Sequence, residues 1–313
     1  MVERAAVRLS RYLPATPLQR SRAFTTKVGA EVWIKLEGIQ PTRSFKVRGA
    51  LNKILGLDAE GQARGVITAS AGNHGQGVAY GAMLFSIPAT IYVPETANPA
   101  KVAAIKRMGA SVVSVGTTYN DAYGEAQAAQ ARSGATFIHA FDDPDVIAGQ
   151  GTLAYELLGQ CPQVDTVIVP VGGGGLISGV AAYLKQTKPG VRVIGVQAAG
   201  AAAMQRSLQA GSIQSLSRVD TIADGLATTR VGNLTFSLTK QYVDEVMLVQ
   251  ERELLRAIRL YFEWEHLLAE PAGAAALAAL LYRYTPVGSE RVCLVLSGAN
   301  IAEDVFLAAL RAR

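Results

Sequence analysis

The chain has 313 residues, half of them hydrophobic and 18% charged, with a formal net charge of +5. That is ample for two domains or one large α/β domain with a sizeable core, and it excludes a disordered chain. Two cysteines and three histidines exclude a disulfide framework and leave too few ligands for a zinc site. A reducing cytoplasm is therefore the expected setting. The arginines are dispersed without interleaved aromatics, so no nucleic-acid partner is expected. Met1–Arg8 has no apolar targeting core, and no apolar run reaches about 18 residues, so no membrane is expected either.

After an irregular start, Ala15–Leu18 reads as a turn and Glu31–Glu37 as a strand, by its bulky and β-branched content. In the stretch Gln40–Ala50, Pro41 disfavours helix at Gln40, and Thr42 or Ser44 can cap a helix that runs to about Leu57. Further strands are expected at Val66–Ala69, Ala89–Val93, Val112–Val115, Phe137–Ala140, Val167–Val171, Val191–Val196, Val246–Val249 and Val292–Leu296. Helices are expected at Asn73–Phe85, Pro99–Met108, Tyr119–Arg132 and Val146–Leu158, from the glycine run at 172 to Lys185, and at Glu251–Leu267, Ala272–Leu281 and Ala302–Leu310. Buried, non-alternating strands separated by helices specify parallel sheets covered on both faces. The strand–helix units around residues 60–140 form one compact lobe, and the two flanks form the other.

Ligands of open α/β sheets sit at the carboxyl ends of the strands. Gly172–Gly175 lies at such an end and opens a helix, so its backbone N–H groups are free to face an anion. A dinucleotide fingerprint would need glycine where Ile177 or Ser178 stands, and the next strand ends at Gln197 rather than at an acid. A Walker loop would need Lys-Ser/Thr where Val180-Ala181 follows Gly179. A single phosphate is the expected guest. Ser70–Gly77 also joins a strand to a helix and can hold a carboxylate through Ser70, Asn73 and local N–H groups. Ser297–Asn300 and Glu270–Gly273 read alone as helix starts, Asp142-Asp143-Pro144 as a turn with a cap, and Ala223–Gly225 as a tight turn. His139 and His266 read as structural.

Lys46 stands near a helix start between Arg43 and Arg48. Alone, this is a solvated basic face. The alternative is an amine nucleophile that forms a Schiff base, its pKa lowered by neighbouring cations. Taken with the glycine run, the Ser70–His74 loop and Ser297, the second reading fits one ligand that carries an aldehyde, a ring and a phosphate: pyridoxal 5′-phosphate (PLP).

From Thr16-Pro17-Leu18 to Ser297–Asn300 the chain resembles fold-type II PLP enzymes of the serine/threonine dehydratase and serine racemase branch. The segments that carry the likeness are Ser44–Ala50, Ser70–His74, Val146–Thr152 and Pro170–Gly175. The resemblance implies an α/β fold of the tryptophan synthase β-like type. It has a large PLP-binding domain (1–52 and 142–313) and a small domain (53–141), each an open, mostly parallel sheet flanked by helices. It implies that Lys46 carries the cofactor and moves the α-proton, and that Phe45 packs beside the ring. Asn73 would bond the ring hydroxyl, Gly172–Gly175 and the Leu176 N–H would hold the phosphate, and Ser297 would meet the pyridine nitrogen. Glu270 would lie near the ring, and Ser70, Asn73 and His74 would bind the substrate carboxylate.

The implied activity is dehydration and deamination of L-threonine or L-serine to a 2-oxo acid and ammonia, by a homodimer or homotetramer. Ala71, where racemases of the branch carry a serine, argues for poor racemisation. Gln197 and Ala203, where cation-binding members carry acids, argue for no metal site. Ala299 replaces a frequent glycine and is expected to shift Ser297 slightly. A chain ending at Arg313 implies no C-terminal regulatory domain. The alternatives are a dehydratase of another β-substituted amino acid (3-hydroxyaspartate or a phenylserine), an amino-acid racemase, a catalytically silent PLP-binding protein and an NAD(P)-dependent oxidoreductase.

Overall fold

The structure, a computed structural model, describes residues 1–312. Its strands are β1 (Leu18–Ser21), β2 (Glu31–Leu36), β3 (Val66–Ala69), β4 (Ala89–Val93), β5 (Ser111–Ser114), β6 (Thr136–Phe137), β7 (Thr166–Pro170), β8 (Arg192–Ala198), β9 (Glu245–Val249) and β10 (Arg291–Leu296). The helices are α1 (Val2–Leu9), α2 (Arg22–Val28), α3 (Lys46–Ile54), α4 (Ala59–Arg64), α5 (Asn73–Leu84), α6 (Pro99–Arg107) and α7 (Tyr119–Ser133). They continue with α8 (Pro144–Gln160), α9 (Gly175–Thr187), α10 (Ala203–Ala210), α11 (Asn233–Tyr242), α12 (Glu251–Glu265), α13 (Pro271–Tyr282) and α14 (Glu303–Arg311).

The strands form a six-stranded sheet, ordered β1-β2-β10-β7-β8-β9, and a four-stranded sheet, ordered β5-β4-β3-β6. All pairings are parallel except β1 with β2. The apolar runs of β7 and β10 are buried along most of their length because helices cover both sheet faces. One core cluster joins Ile168, Ile194 and Leu294 to α12 and α13; another joins Val167, Val169 and Val193 to α8 and α9. Alternate residues of the same strands thus feed opposite faces. The alanines of α13 are buried all round, and their small side chains let the helix sit close against the sheet.

Several short elements go beyond the sequence reading. The Leu18 turn continues into β1, an edge strand of mostly polar residues whose Ser21 hydroxyl then accepts the Phe24 N–H and starts α2. Helices α1, α2, α4, α10 and α11 are short, and three of them (α2, α4 and α10) end at a glycine of positive φ. β6 (Thr136–Phe137) stops at the first residue of its expected span. Beyond Ile138 the chain turns, and the Phe141 and Asp142 N–H groups donate to His139 Nδ1.

Candidate active site

The carboxyl ends of β3, β7 and β10 face one cavity of about 1110 Å³. Phe45, Lys46, Ser70, Asn73, His74, Gly172–Leu176, Glu270 and Ser297 all line it. The structure therefore brings together every residue to which the sequence assigned a site role. It also brings Ala71, Phe141, Lys101, Asp224 and the segment 225–232 to the walls.

Lys46 is the first residue of α3. Its Nζ donates to the Ala140 carbonyl at 2.7 Å and stands 5.3 Å from the centre of the Phe45 ring. Burial pushes its pKa down to about 8, against the opposing pull of Glu270. An amine so placed exists in both protonation states near neutral pH. The loop that presents it is tied to the loop after β10: Phe45 N–H donates to Ser297 O at 3.0 Å, Ala299 N–H to Arg43 O at 2.8 Å, and Ser44 bridges Gly298. The two loops thus place Lys46 and Ser297 as one unit. Ala299 is accommodated because Gly38 has no side chain; a Cβ there would come within 2.9 Å of the Ala299 Cβ.

The first turn of α5 carries free backbone N–H groups at Asn73, His74 and Gly75 by position. Ser70 Oγ accepts the Gly72 N–H at 3.2 Å and keeps its own proton for a ligand. The His74 ring is already engaged: Nε2 lies 2.9 Å from Ile138 O, which requires the proton on Nε2. Burial and the Lys46 charge push its pKa down to about 3. What His74 presents to an anion is therefore its backbone N–H, not a charged ring. Asn73 Nδ2 donates to Glu270 Oε1 at 2.7 Å, and Asn73 Oδ1 accepts from Asn300 Nδ2, also at 2.7 Å. Asn300 in turn donates to Thr42 O, so three loops fix one amide. Burial raises the Glu270 pKa to about 7, opposed by the Asn73 hydrogen bond and by Lys101, which itself pairs with Asp224 at the cavity wall.

Between β7 and α9, Gly172–Gly175 pack against neighbours that leave no room for side chains. A Cβ at Gly173 would meet the Phe141 ring at 2.4 Å, and one at Gly172 would meet Gly225 O at 2.7 Å. Gly174 has φ +100°, which favours glycine. The N–H groups of Gly175, Leu176 and Ile177 open α9 without intrahelical acceptors, and no charged side chain is needed to attract an anion there. A bare cradle of this kind suits a phosphate group, and the neighbouring amine suits its aldehyde, so the residues fit PLP.

Arg48, left open between solvent and site, is in neither. It is 1% exposed and clamps Glu37 and Glu156 with bidentate contacts of 2.6–2.8 Å. Arg43 is exposed at φ 57°. Gln197 is buried and neutral; its amide donates to Ala201 O and accepts the Gln205 N–H. No group of three or more His, Cys, Asp or Glu is placed to hold a metal among the described residues. Sequence reasoning gave no site role to Asn300 and Thr235, which reach the site through other residues, or to Asp142, which lines the cavity. It also missed the Ala140 carbonyl, which carries no side-chain signal.

A parallel α/β scaffold that sets a low-pKa lysine and a bare backbone cradle across one cleft has the parts of a cofactor-dependent enzyme. The family profile for pyridoxal-phosphate dependent enzymes matches residues 9–298, and the chain belongs to that family. It is 46% identical over 302 residues to an L-threonine ammonia-lyase of Geobacter sulfurreducens, a match covering 96% of this chain and 75% of that protein. The crystal structure of the threonine deaminase of T.th. aligns with a TM-score of 0.91 at 40% identity, covering 96% of this chain and 97% of the other. The structure of maize serine racemase aligns with a TM-score of 0.94 at 34% identity, covering 99% and 95%. No helix among the described residues is long and apolar enough to cross a membrane.

Proposed function

We propose that the chain is a β-eliminating ammonia-lyase that converts L-threonine or L-serine to a 2-oxo acid and ammonia. The observation that carries this is the distribution of proton donors on the cavity wall. Lys46 supplies one amine able to take and return a proton, while the residue after Ser70 is Ala71, whose methyl group has none to give. A proton taken by Lys46 with no hydroxyl at position 71 to return one favours elimination over racemisation. The relatives named threonine ammonia-lyase and threonine deaminase support the same choice.

Bound PLP supplies an aldehyde for the substrate amine and a conjugated ring that stabilises negative charge at Cα. The chain's residues do the rest. Ser70 and the N–H groups at the start of α5 bind the substrate carboxylate, and Asn73 orients toward the ring hydroxyl. Gly172–Gly175 and the Leu176 N–H hold the phosphate, and Phe45 flanks the ring. Ser297 offers the ring nitrogen a neutral hydroxyl, which does not enforce a protonated ring. Glu270, its pKa raised to about 7, takes up and releases a proton beside Asn73 around neutral pH. Lys46 Nζ would hold the cofactor through its aldehyde, and it is the amine placed to take the α-proton.

The division into domains 1–52 with 142–313 and 53–141 is supported by the strands, since residues 66–137 supply the whole four-stranded sheet; α3 crosses the first boundary. A homodimer or homotetramer accords with the exposed Val7, Ile39 and Leu268 side chains. A cytoplasmic setting accords with two buried, unpaired cysteines. The decisive experiment is a panel of β-hydroxy amino acids assayed for 2-oxo acid and ammonia, with chiral analysis of recovered serine. Threonine or serine is expected to be consumed with little D-serine formed. No turnover of either would remove the assignment, and rapid D-serine formation would make the chain a racemase.

A further inference from the structure

The cradle glycines do not hold their own conformation; something outside the loop must. Thr235, in the first turn of α11, is fully buried behind them. Its Oγ1 accepts the Gly232 N–H at 3.1 Å and donates to the Gly173 carbonyl at 2.7 Å. A hydroxyl has one proton, and the alternative acceptor, Gly232 O, is farther away at 3.3 Å. In a trans peptide the C=O and the following N–H point to opposite sides. Holding Gly173 O toward Thr235 therefore turns the Gly174 N–H the other way, toward the cavity that Gly173 and Gly174 line. The Thr235 Cβ also fills the space behind Gly174: a Cβ on that glycine would come within 2.8 Å of it.

Thr235 is itself fixed from outside its helix. Gly232, the cap residue of α11, has no side chain, and Asp142 takes over: Oδ1 accepts the Thr235 N–H and Oδ2 the Asn233 N–H, both at 3.0 Å. Asp142 follows Phe141, whose ring packs on Gly173 and whose backbone and Cβ pack on Gly175. One dipeptide thus touches both the cradle and the helix turn that supports it.

We infer that Thr235 is the positioning residue of the phosphate cradle: its hydroxyl aims the Gly174 N–H at the bound phosphate through the Gly173–Gly174 peptide. The inference rests on the assignment of Gly172–Gly175 to the cofactor phosphate. The test uses the full chain, stripped of cofactor and titrated with PLP and, separately, with pyridoxal, which lacks the phosphate. Thr235→Val keeps the shape and removes the hydroxyl. It is expected to weaken PLP binding about tenfold and leave pyridoxal binding unchanged. Thr235→Ser keeps the hydroxyl and is expected to bind PLP as the parent does. If Thr235→Val does not fold, Thr235→Cys, with a feeble donor, replaces it.

Equal weakening toward both ligands would make Thr235 a packing residue and overturn the inference. Unchanged PLP binding would also overturn it. Gly174→Ala separates the two layers of the argument. If it weakens PLP binding while Thr235→Val does not, the cradle stands and the positioning role falls. If neither variant changes PLP binding, the cradle assignment falls with it.

Discussion

Two lysines drawn into the fold, Lys35 and Lys46, do opposite things. Lys35, on β2, belongs to a closed ionic cluster. Its Nζ donates to Thr16 O and Glu156 Oε2 at 2.7 Å and to Gln160 Oε1 at 2.9 Å, using all three protons. Arg48 completes the cluster against Glu37 and Glu156, so two cations face two anions. Lys46 lies two residues before Arg48. It has one carbonyl partner and no carboxylate within salt-bridge distance, and it borders a cavity. Burial lowers the pKa of both amines, but only Lys35 is repaid by carboxylates in contact. Burying a charge is therefore not what marks a functional group here. The mark is hydrogen-bonding capacity left unused beside an open space.

The largest effect that sharpens this contrast is at Lys46. Lys46→Ala is expected to lower turnover by about 10³-fold or more while unfolding within about 1 kcal/mol of the parent. Borohydride reduction of the holoenzyme followed by peptide mapping should label Lys46 alone; a label on another lysine would break the comparison. Next comes Arg48→Met, which leaves Glu37 and Glu156 short of their countercharge. It is expected to cost about 3–5 kcal/mol in denaturant unfolding. A loss below about 1 kcal/mol would mean that the cluster is not the closed structural unit described.

The smallest effect is at Glu270. Its folded pKa of about 7 exceeds the ordinary carboxylate value of 4.5, so the folded state keeps a proton that the unfolded chain releases. Stability from this group is highest below pH 4.5, falls as pH rises and is fully lost above pH 7. Glu270→Gln removes that dependence. In the cofactor-free chain its advantage over the parent should grow across this window to about 3 kcal/mol or less. A difference that stays constant with pH would show that Glu270 does not hold a proton in the folded state.

The strands and their loops were largely legible in the residues. β-Branched apolar runs marked β3, β4, β7 and β10, and the glycines after Pro170 and the Ser70 loop marked two strand-to-helix junctions that line the cavity. β1 was not legible, because four mostly polar residues on an edge pair with a single neighbour. The fates of Arg43 and Arg48 were equally opaque. Both flank Lys46 at similar distance, yet the helix geometry of α3 turns Arg48 inward onto Glu37 and Glu156 while Arg43 sits in solvent at a left-handed turn. Asn300, Asp142 and Thr235 left no local signal of their roles. Each acts on a distant partner: 227 residues away for Asn300 on Asn73, 93 for Asp142 on Thr235 and 62 for Thr235 on Gly173.

What the sequence alone determined is the inventory: parallel α/β units, a lysine at a helix start, a glycine run between a strand and a helix, and a serine after the last strand. Those features are local, because strand propensity, helix starts and glycine's freedom depend on a few adjacent residues. What only the tertiary structure decided is which groups are already satisfied. It engaged the His74 ring with Ile138, spent Lys35 and Arg48 on carboxylates, and left Lys46 with one carbonyl beside a cavity. Whether a polar group is free for chemistry depends on what distant segments bring within about 3 Å of it, and that distance is set by the packing of the two sheets.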